Sequence, residues 1–343
     1  MPLRRPLGRR AVLGAALAAA TAPLTACGSS AAAESEFTLV AAHATSTDHF
    51  MHRSFVKFQK EVEKRSNGRI DVKIFPNSVF GGDRELTEAM QLDTLHLCAP
   101  SSSPLAAFSP DMNVWDIPYL FTDRERAYRV LDGPFGQRLL DQLSDVRIKG
   151  LGYWENGYRN LTHNKDELRS PDDMAGIKLR TLENQAQIRA WNATGASATP
   201  MAFTEVYTGL QQGTIDAQEN PLALIVAQRF YEVQKELVIS EHVYTPSPLI
   251  MSQRFYDRLP SDLQQVIDDA AKASVEYCRE QSVIDEKKSL ETIEEAGTSV
   301  TSLDDDERAE FQDVMRPVAE QYVQSIVAPG LLDELTSVLE ETP

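Results

Sequence analysis

Cysteine is scarce: three residues in 343, too few for the disulfide framework that holds small secreted domains. Cys98 and Cys278 lie far apart in sequence and read either as small buried hydrophobes or as a bridged pair. Histidine is scarce too. Its six copies, His43, His49, His52, His96, His163 and His242, include no His-Glu-x-x-His arrangement, so no metal site is expected. Basic charge is in deficit, with 34 Lys and Arg against 51 Asp and Glu and a net charge of −17. Such a surface repels phosphate backbones, which excludes nucleic acid as a partner. It does not exclude a small anionic ligand, because one buried arginine outweighs distant, screened acids. Beyond the N-terminus no stretch reaches the roughly 18 apolar residues of a membrane helix. A Gly-x-Ser-x-Gly elbow, a Walker loop and a dinucleotide fingerprint are all missing. No cofactor is therefore expected, and no nucleophile–base pair supports an extracytoplasmic hydrolase.

What is present begins with a leader. Arg4-Arg5 and Arg9-Arg10 precede an Ala/Leu-rich run from Ala11 to Ala22, the charge pattern of an export signal too short to span a bilayer. It ends in Leu24-Thr25-Ala26-Cys27, which resembles a bacterial lipobox, in which the cysteine is lipidated; an ordinary secretory leader is the alternative. Arg9-Arg10-Ala11-Val12-Leu13 also resembles a twin-arginine export motif, leaving Tat and Sec export both open. Residues 1–26 are thus expected to be a signal peptide and 27–35 a polar tether from a lipid anchor at Cys27. The expected location is outside the cytoplasm, on the membrane surface.

The remainder reads as α/β. Phe37–Ala41 has the character of a strand, Met51, Phe55, Phe58 and Val62 recur at helical spacing up to Asn67-Gly68, and Ile70, Val72 and Ile74 alternate. Strand, helix, strand at this spacing implies a parallel βαβ unit. Asp83 is placed to cap a helix carrying Leu86 and Met90, and a strand is expected at 95–99. The pattern restarts after Gly150, with strands at 151–154 and 177–179, a helix at 185–194, a helix capped by Thr204 and ended by Gly213, and a strand at 214–218. Two such halves imply two lobes. From Pro260-Ser261 a helical pattern runs without a breaker to Gly297, about 54 Å at 1.5 Å per residue. Asp172-Asp173 and Asp304–Asp306 fit helix starts or solvated surface.

The candidate chemistry lies in arginines and amides expected at strand ends. Asn156-Gly157-Tyr158-Arg159-Asn160 follows one strand and Gly176–Arg180 ends another. Ligands of open α/β sheets bind beyond the carboxyl ends of strands, where a guanidinium can hold a carboxylate by two parallel hydrogen bonds. Spacing alone leaves surface ion pairs as the other reading.

Together these segments resemble the solute receptors of tripartite ATP-independent periplasmic (TRAP) transporters, the C4-dicarboxylate receptor-like group. The resemblance rests on Arg180, on Thr199–Tyr207 (TPMAFTEVY), on Gln212–Leu222 (QGTIDAQENPL) and on Phe230–Lys235 (FYEVQK). Gly81–Leu86, Ile117–Phe121 and Asn156–Arg159 fit in the expected order, so the similarity covers about 36–335. Asp93 stands where glycine is common, Ala217 replaces another glycine, and 162–169 departs from the usual pattern. The resemblance implies a two-lobed periplasmic-binding-protein-like fold with hinge strands and a long helix crossing both lobes. It places lobe I at 36–156 with 246–285 and lobe II at 157–245 with 286–343. It implies a non-enzymatic, monomeric receptor that captures a small carboxylate and delivers it to membrane permease subunits, or that presents it to a membrane sensor. By position, Arg180 corresponds to the carboxylate clamp, Arg159 to a supporting arginine, Phe203 to an aromatic against the ligand and Asn220 to an amide near the carboxylate. Asp83 stands where some members meet ligand hydroxyls, and Ser101 and His43 near pocket positions. Trp154 is either core or cleft wall. A sugar acid such as a uronate is the favoured ligand and a C4-dicarboxylate the alternative.

Overall fold

A computed structural model of the chain describes residues 35–165 and 167–342; the leader, Cys27 and the tether to 34 lie outside the described residues. Nine strands, β1 (Phe37–Ala42), β2 (Ile70–Phe75), β3 (Leu97–Cys98), β4 (Ile148–His163), β5 (Lys178–Thr181), β6 (Ser197–Pro200), β7 (Ala217–Asn220), β8 (Glu236–Ser252) and β9 (Ser299–Ser302), form one sheet. The expected βαβ unit is there. β1 and β2 pair in parallel from Phe37↔Ile70 to Ala42↔Phe75, joined by α1 (Phe50–Arg65), which buries Phe55, Phe58 and Val62. Asn67 and Gly68 both adopt left-handed backbone, φ 53° and 78°, which ends the helix.

The sheet is mixed, where two parallel halves were expected. β4 and β8, 16 and 17 residues long, run antiparallel along their whole length. β1 and β2 join this pair through β3 at Ile250 and Met251, whereas β7 pairs Asn160–His163 and β9 pairs Glu236–Ile239. The two long strands therefore carry one group of strands at each end. The sequence suggested only 151–154 of β4 and none of β8. Residues 152–163 are buried on both faces, so the strand shows no polar–apolar alternation, and β8 contains Pro246 and Pro248, which normally argue against a central strand. Register shifts at Gly150/Gly152, Glu155/Gly157 and Arg159/Leu161 accommodate them. Arg159 is thus inside a strand, not beyond its end.

Smaller corrections follow the same logic. α2 (Asp83–Gln91) is capped by Gly82, whose N–H donates to Glu85 Oε2 at 2.9 Å; Asp83 is its first residue and turns its carboxylate to Ser101 instead. Thr204 lies within a 3₁₀ turn, Phe203–Glu205, ahead of the helix Val206–Gln212, and does not cap it. Asp93 sits at φ 60°, a left-handed backbone that explains why glycine is common there. α3 (Gln185–Ala193) begins at the cap Asn184. The long helix is α4 (Ser261–Glu295), 35 residues and about 52 Å. It packs along α1 and β4, and Trp154 Nε1 donates to Ser274 Oγ at 3.1 Å, so Trp154 is core. α5 (Asp305–Ile326) starts in a capping box formed by Asp304 and Glu307 and packs on α3. Cys98 and Cys278 are buried and unbonded. No helix among the described residues is long and apolar enough to cross a membrane.

One apolar core lies under β1, α1 and α4 (Leu39, Phe58, Ile267) and another gathers Val206, Phe230 and Ile293. A third runs unbroken from Leu86 and Trp115 to Trp191 and Phe311. Gly150 brings β4 against the helix Pro134–Gln142: an added Cβ would lie 2.6 Å from Leu140 Cβ and 2.8 Å from its carbonyl oxygen. Gly150→Ala is expected to lose about 1–3 kcal/mol through overpacking, read as a lower denaturant midpoint with an unchanged m-value.

Candidate ligand cleft

His43, Asp83, Ser101, Arg159, Phe203 and Asn220, six of the seven residues expected at the site, line one cavity with about 520 Å³ of unfilled space, open solvent at its mouth included. His43, Asp83 and Ser101 come from the β1–β3 end of the chain, Arg159 and Asn220 from the paired strands β4 and β7. Arg180, the seventh, is buried in β5 behind the wall rather than on it. The sequence did not point to Ser247 or Leu182, which also line the cavity; Ser247 lies in β8, the strand with no legible pattern. Asn156, another wall residue, belongs to the run that carried Arg159.

The two arginines differ in how their charge is met. Arg159 is fully buried, and Glu219 of β7 grips it: Nε donates to Oε2, Nη2 to Oε1 at 3.0 Å and to the Glu219 carbonyl at 2.6 Å. Nη2 also reaches Asn220 Oδ1 at 3.1 Å, while Nη1 has no partner. Burial alone would raise the Glu219 carboxyl, but the Arg159 charge and the bonds from His242 and Arg159 outweigh it and hold it at about 2. Arg180 has no such carboxylate. Its Nε and Nη2 donate to the Met201 carbonyl at 3.0 and 2.7 Å, and its Nη1 is buried without a partner. Burial pulls its pKa down to about 10, so it stays charged at neutral pH.

The facing wall carries no cation. Burial, and then the neighbouring His52, lower His43 to about 3. Its ring nitrogens meet Thr45 Oγ1 at 2.9 Å and His52 Nδ1 at 3.0 Å. Asp83 Oδ2 accepts from the Ser101 N–H at 3.0 Å, and Ser101 Oγ is buried without a partner. Burial raises Asp83 to about 6 against the opposing pull of that bond and of the Arg180 and Arg159 charges. Phe203 stands edge-on to Phe230 with centroids 6.2 Å apart. Asn220 Nδ2 donates to Gln218 Oε1 at 2.6 Å, which fixes the amide with its oxygen toward Arg159. Among the described residues no group of three or more His, Cys, Asp or Glu could hold a metal ion. The cavity has the Arg159 guanidinium, with one unpaired donor, on one side and a hydroxyl and a carboxylate on the other, and a guanidinium so placed can hold an anion.

The profile of bacterial extracellular solute-binding protein family 7 (DctP) matches residues 41–325. The chain belongs to this family. A solute-binding protein of Verminephrobacter eiseniae is 41% identical over 265 residues, 77% of this chain and 78% of the relative. The C4-dicarboxylate-binding periplasmic protein DctP of Rhodobacter capsulatus is 35% identical over 291 residues, 83% and 86% of the two chains. The sugar acid binding protein DctPAm of Advenella mimigardefordensis, solved in complex with galactonate, superposes with a TM-score of 0.86 at 33% identity, covering 89% of this chain and 98% of that one. The protein is a two-lobed TRAP-type solute receptor, not an enzyme.

The unequal pairing of the receptor's arginines has a measurable consequence. Arg159→Met leaves Glu219 buried without its cation and is expected to cost about 3–5 kcal/mol of stability. Arg180→Met removes a buried charge that no carboxylate meets, so the ligand-free protein is expected to change by about 1 kcal/mol or less. Urea denaturation of both variants at neutral pH decides it.

Proposed function

We propose that this receptor captures a hydroxylated monocarboxylate, a sugar acid such as a uronate, with Arg180 as its clamp and Arg159 in support, and delivers it to TRAP permease subunits. The observation that carries the reading is the charge arrangement: Arg180 is buried beside the cavity with one donor unpaired and no carboxylate bonded to it. A carboxylate entering such a site loses water, a cost of several kcal/mol that a pre-placed guanidinium offsets. Asp83, the Ser101 hydroxyl and His43 would receive ligand hydroxyls at the other end. The galactonate-bound relative supports a sugar acid. The C4-dicarboxylate reading has its own support in the Rhodobacter relative, but a second carboxylate would meet Asp83 and no cation.

The lobes of the proposal are 36–156 with 246–285 and 157–245 with 286–326. In support, the β4–β8 register shifts between Glu155 and Gly157, with Glu155 opposite Pro246 and Gly157 opposite Thr245. The last helix, Leu331–Glu341, is assigned to lobe I rather than lobe II, because Glu334 bonds Arg138 at 2.6 Å and Arg126 reaches the Leu339 carbonyl. Polar groups on one lobe and guanidinium groups on the other would make binding and closure coincide. Cys27 would carry the lipid anchor and 28–35 the tether, after export by Tat or Sec; the protein would act as a monomer.

A thermal-shift screen of uronates, aldonates and C4-dicarboxylates tests the ligand class, since a ligand at 100 times its Kd stabilises by about 2.7 kcal/mol. Arg180→Met should lower affinity for the best acid by about 2–4 kcal/mol in titration calorimetry, and Arg180→Lys should recover part of it. Asp83→Asn should admit dicarboxylates, and so should wild type below a pH of about 6, where Asp83 takes up its proton. Unchanged affinity in Arg180→Met would show that the arginine is structural. Separately, Cys27→Ala should abolish lipid labelling and release the protein from membranes.

A further inference from the structure

Apart from the cavity wall lies a second polar cluster that ligand capture does not use. Asp116 is fully buried. Its Oδ2 accepts from Asn184 Nδ2 at 3.0 Å, and its Oδ1 accepts from Ser103 Oγ and from Gln187 Nε2 at 3.4 Å. Gln187 Nε2 also reaches the Asp116 carbonyl at 3.0 Å. The Asn184 Nδ2 has two further acceptors, the Ser103 carbonyl at 3.2 Å and Asn113 Oδ1 at 2.9 Å. The other end of that amide caps α3, with Oδ1 accepting from Ala186 N at 2.8 Å and Gln187 N at 3.3 Å.

Placement gives the cluster its meaning. Ser103, Asn113 and Asp116 belong to the stretch that follows β3, two residues beyond Ser101, whose N–H holds Asp83. Asn184 and Gln187 follow directly from β5, which carries Arg180. One carboxylate therefore ties the segment behind the hydroxyl-binding wall to the segment behind the clamp. A buried carboxylate with only neutral donors is an expensive way to gain stability; an apolar contact would serve better. Both side-chain amides bonded to Asp116 come from the far segment, so those bonds exist only while the two segments are together.

We propose that the Asp116–Asn184 contact is a latch between the two lobes, and that engaging it takes up a proton. The proposal rests on the two-lobed receptor reading above and on its division of the chain. The titration runs as geometry requires. Burial raises Asp116 from 3.8 to about 7 in the joined arrangement, with Ser103, Gln187 and Arg159 pulling it down and Glu219 pushing it up. α5 packs on the same turn, but its Arg308 and Arg316 are held by Glu241 at 3.1 Å and Glu320 at 2.7 Å. Once the segments part, water returns the carboxyl toward 3.8. The joined state therefore binds the proton more tightly, is favoured at low pH, and loses that advantage as the pH rises through about 7.

Small-angle scattering on the ligand-free protein at about pH 5 and pH 8, either side of that transition, tests the latch without needing a ligand. Wild type should be more compact at the lower pH. Asp116→Asn cannot ionise and should show the same radius of gyration at both. Asn184→Ser keeps the α3 cap but loses the donor, and should be expanded at both. Asp83 titrates nearby but is present in all three proteins, so the difference between them isolates Asp116. A wild-type radius that ignores pH, or a contraction that survives in Asp116→Asn, overturns the proposal. Should circular dichroism show Asp116→Asn unfolded, a wild-type contraction retained in Asn184→Ser overturns it equally. If the protein bound no acid at all, the receptor reading would fail while this scattering difference would stand.

Discussion

Burying two guanidinium groups, on β4 and β5 with β7 between them, is the constraint around which the cleft is built. A buried cation needs a carboxylate or it needs a reason to lack one. Glu219 meets Arg159 through both side-chain oxygens and its own carbonyl, and His242 of β8 supports that carboxylate at 3.2 Å. Arg180 receives only the Met201 carbonyl. The difference separates a buried ion pair from a buried guanidinium with no carboxylate bonded to it.

The long β4–β8 pair makes that arrangement possible. Because both strands run the length of the sheet, residues contributed by distant parts of the chain, Asp83 and Ser101 from one end and Asn220 and Phe203 from the other, face a common space. α4 runs alongside, locked to β4 by Trp154 and Ser274. At the bulge, Glu155 is held by Arg124 at 2.8 Å and by the hydroxyls of Tyr128 and Tyr244, so the irregular point of the strand is braced by polar contacts rather than left loose.

The polar clusters divide their work. The cavity wall carries unpaired polar atoms, Ser101 Oγ and Arg159 Nη1, and Arg180 Nη1 lies unpaired off the wall. The Asp116 carboxylate engages its donors within the protein. Such separation lets one set of groups recognise an acid while another responds to the relative position of the segments.

Much of the local structure was legible in the chain itself. Apolar spacing marked α1 and the uninterrupted run of α4, Asn67-Gly68 and Gly213 marked helix ends, and the long motifs from Thr199 to Leu222 marked the family, because each signal is carried by neighbouring residues. What the chain could not show was decided by tertiary contact. β8 and most of β4 are covered on both faces, so burial erased the alternation that identifies a strand. Asp83 looked like a helix cap until the Ser101 N–H drew its carboxylate away. Strand-end spacing alone did not separate Arg159 from Arg180; β7 pairs with the strands of both, and in the folded sheet the Glu219 side chain turns to Arg159. Which buried charge is neutralised depends on the register between strands and on where the Glu219 side chain turns, and that is a property of the folded sheet rather than of any local stretch of residues.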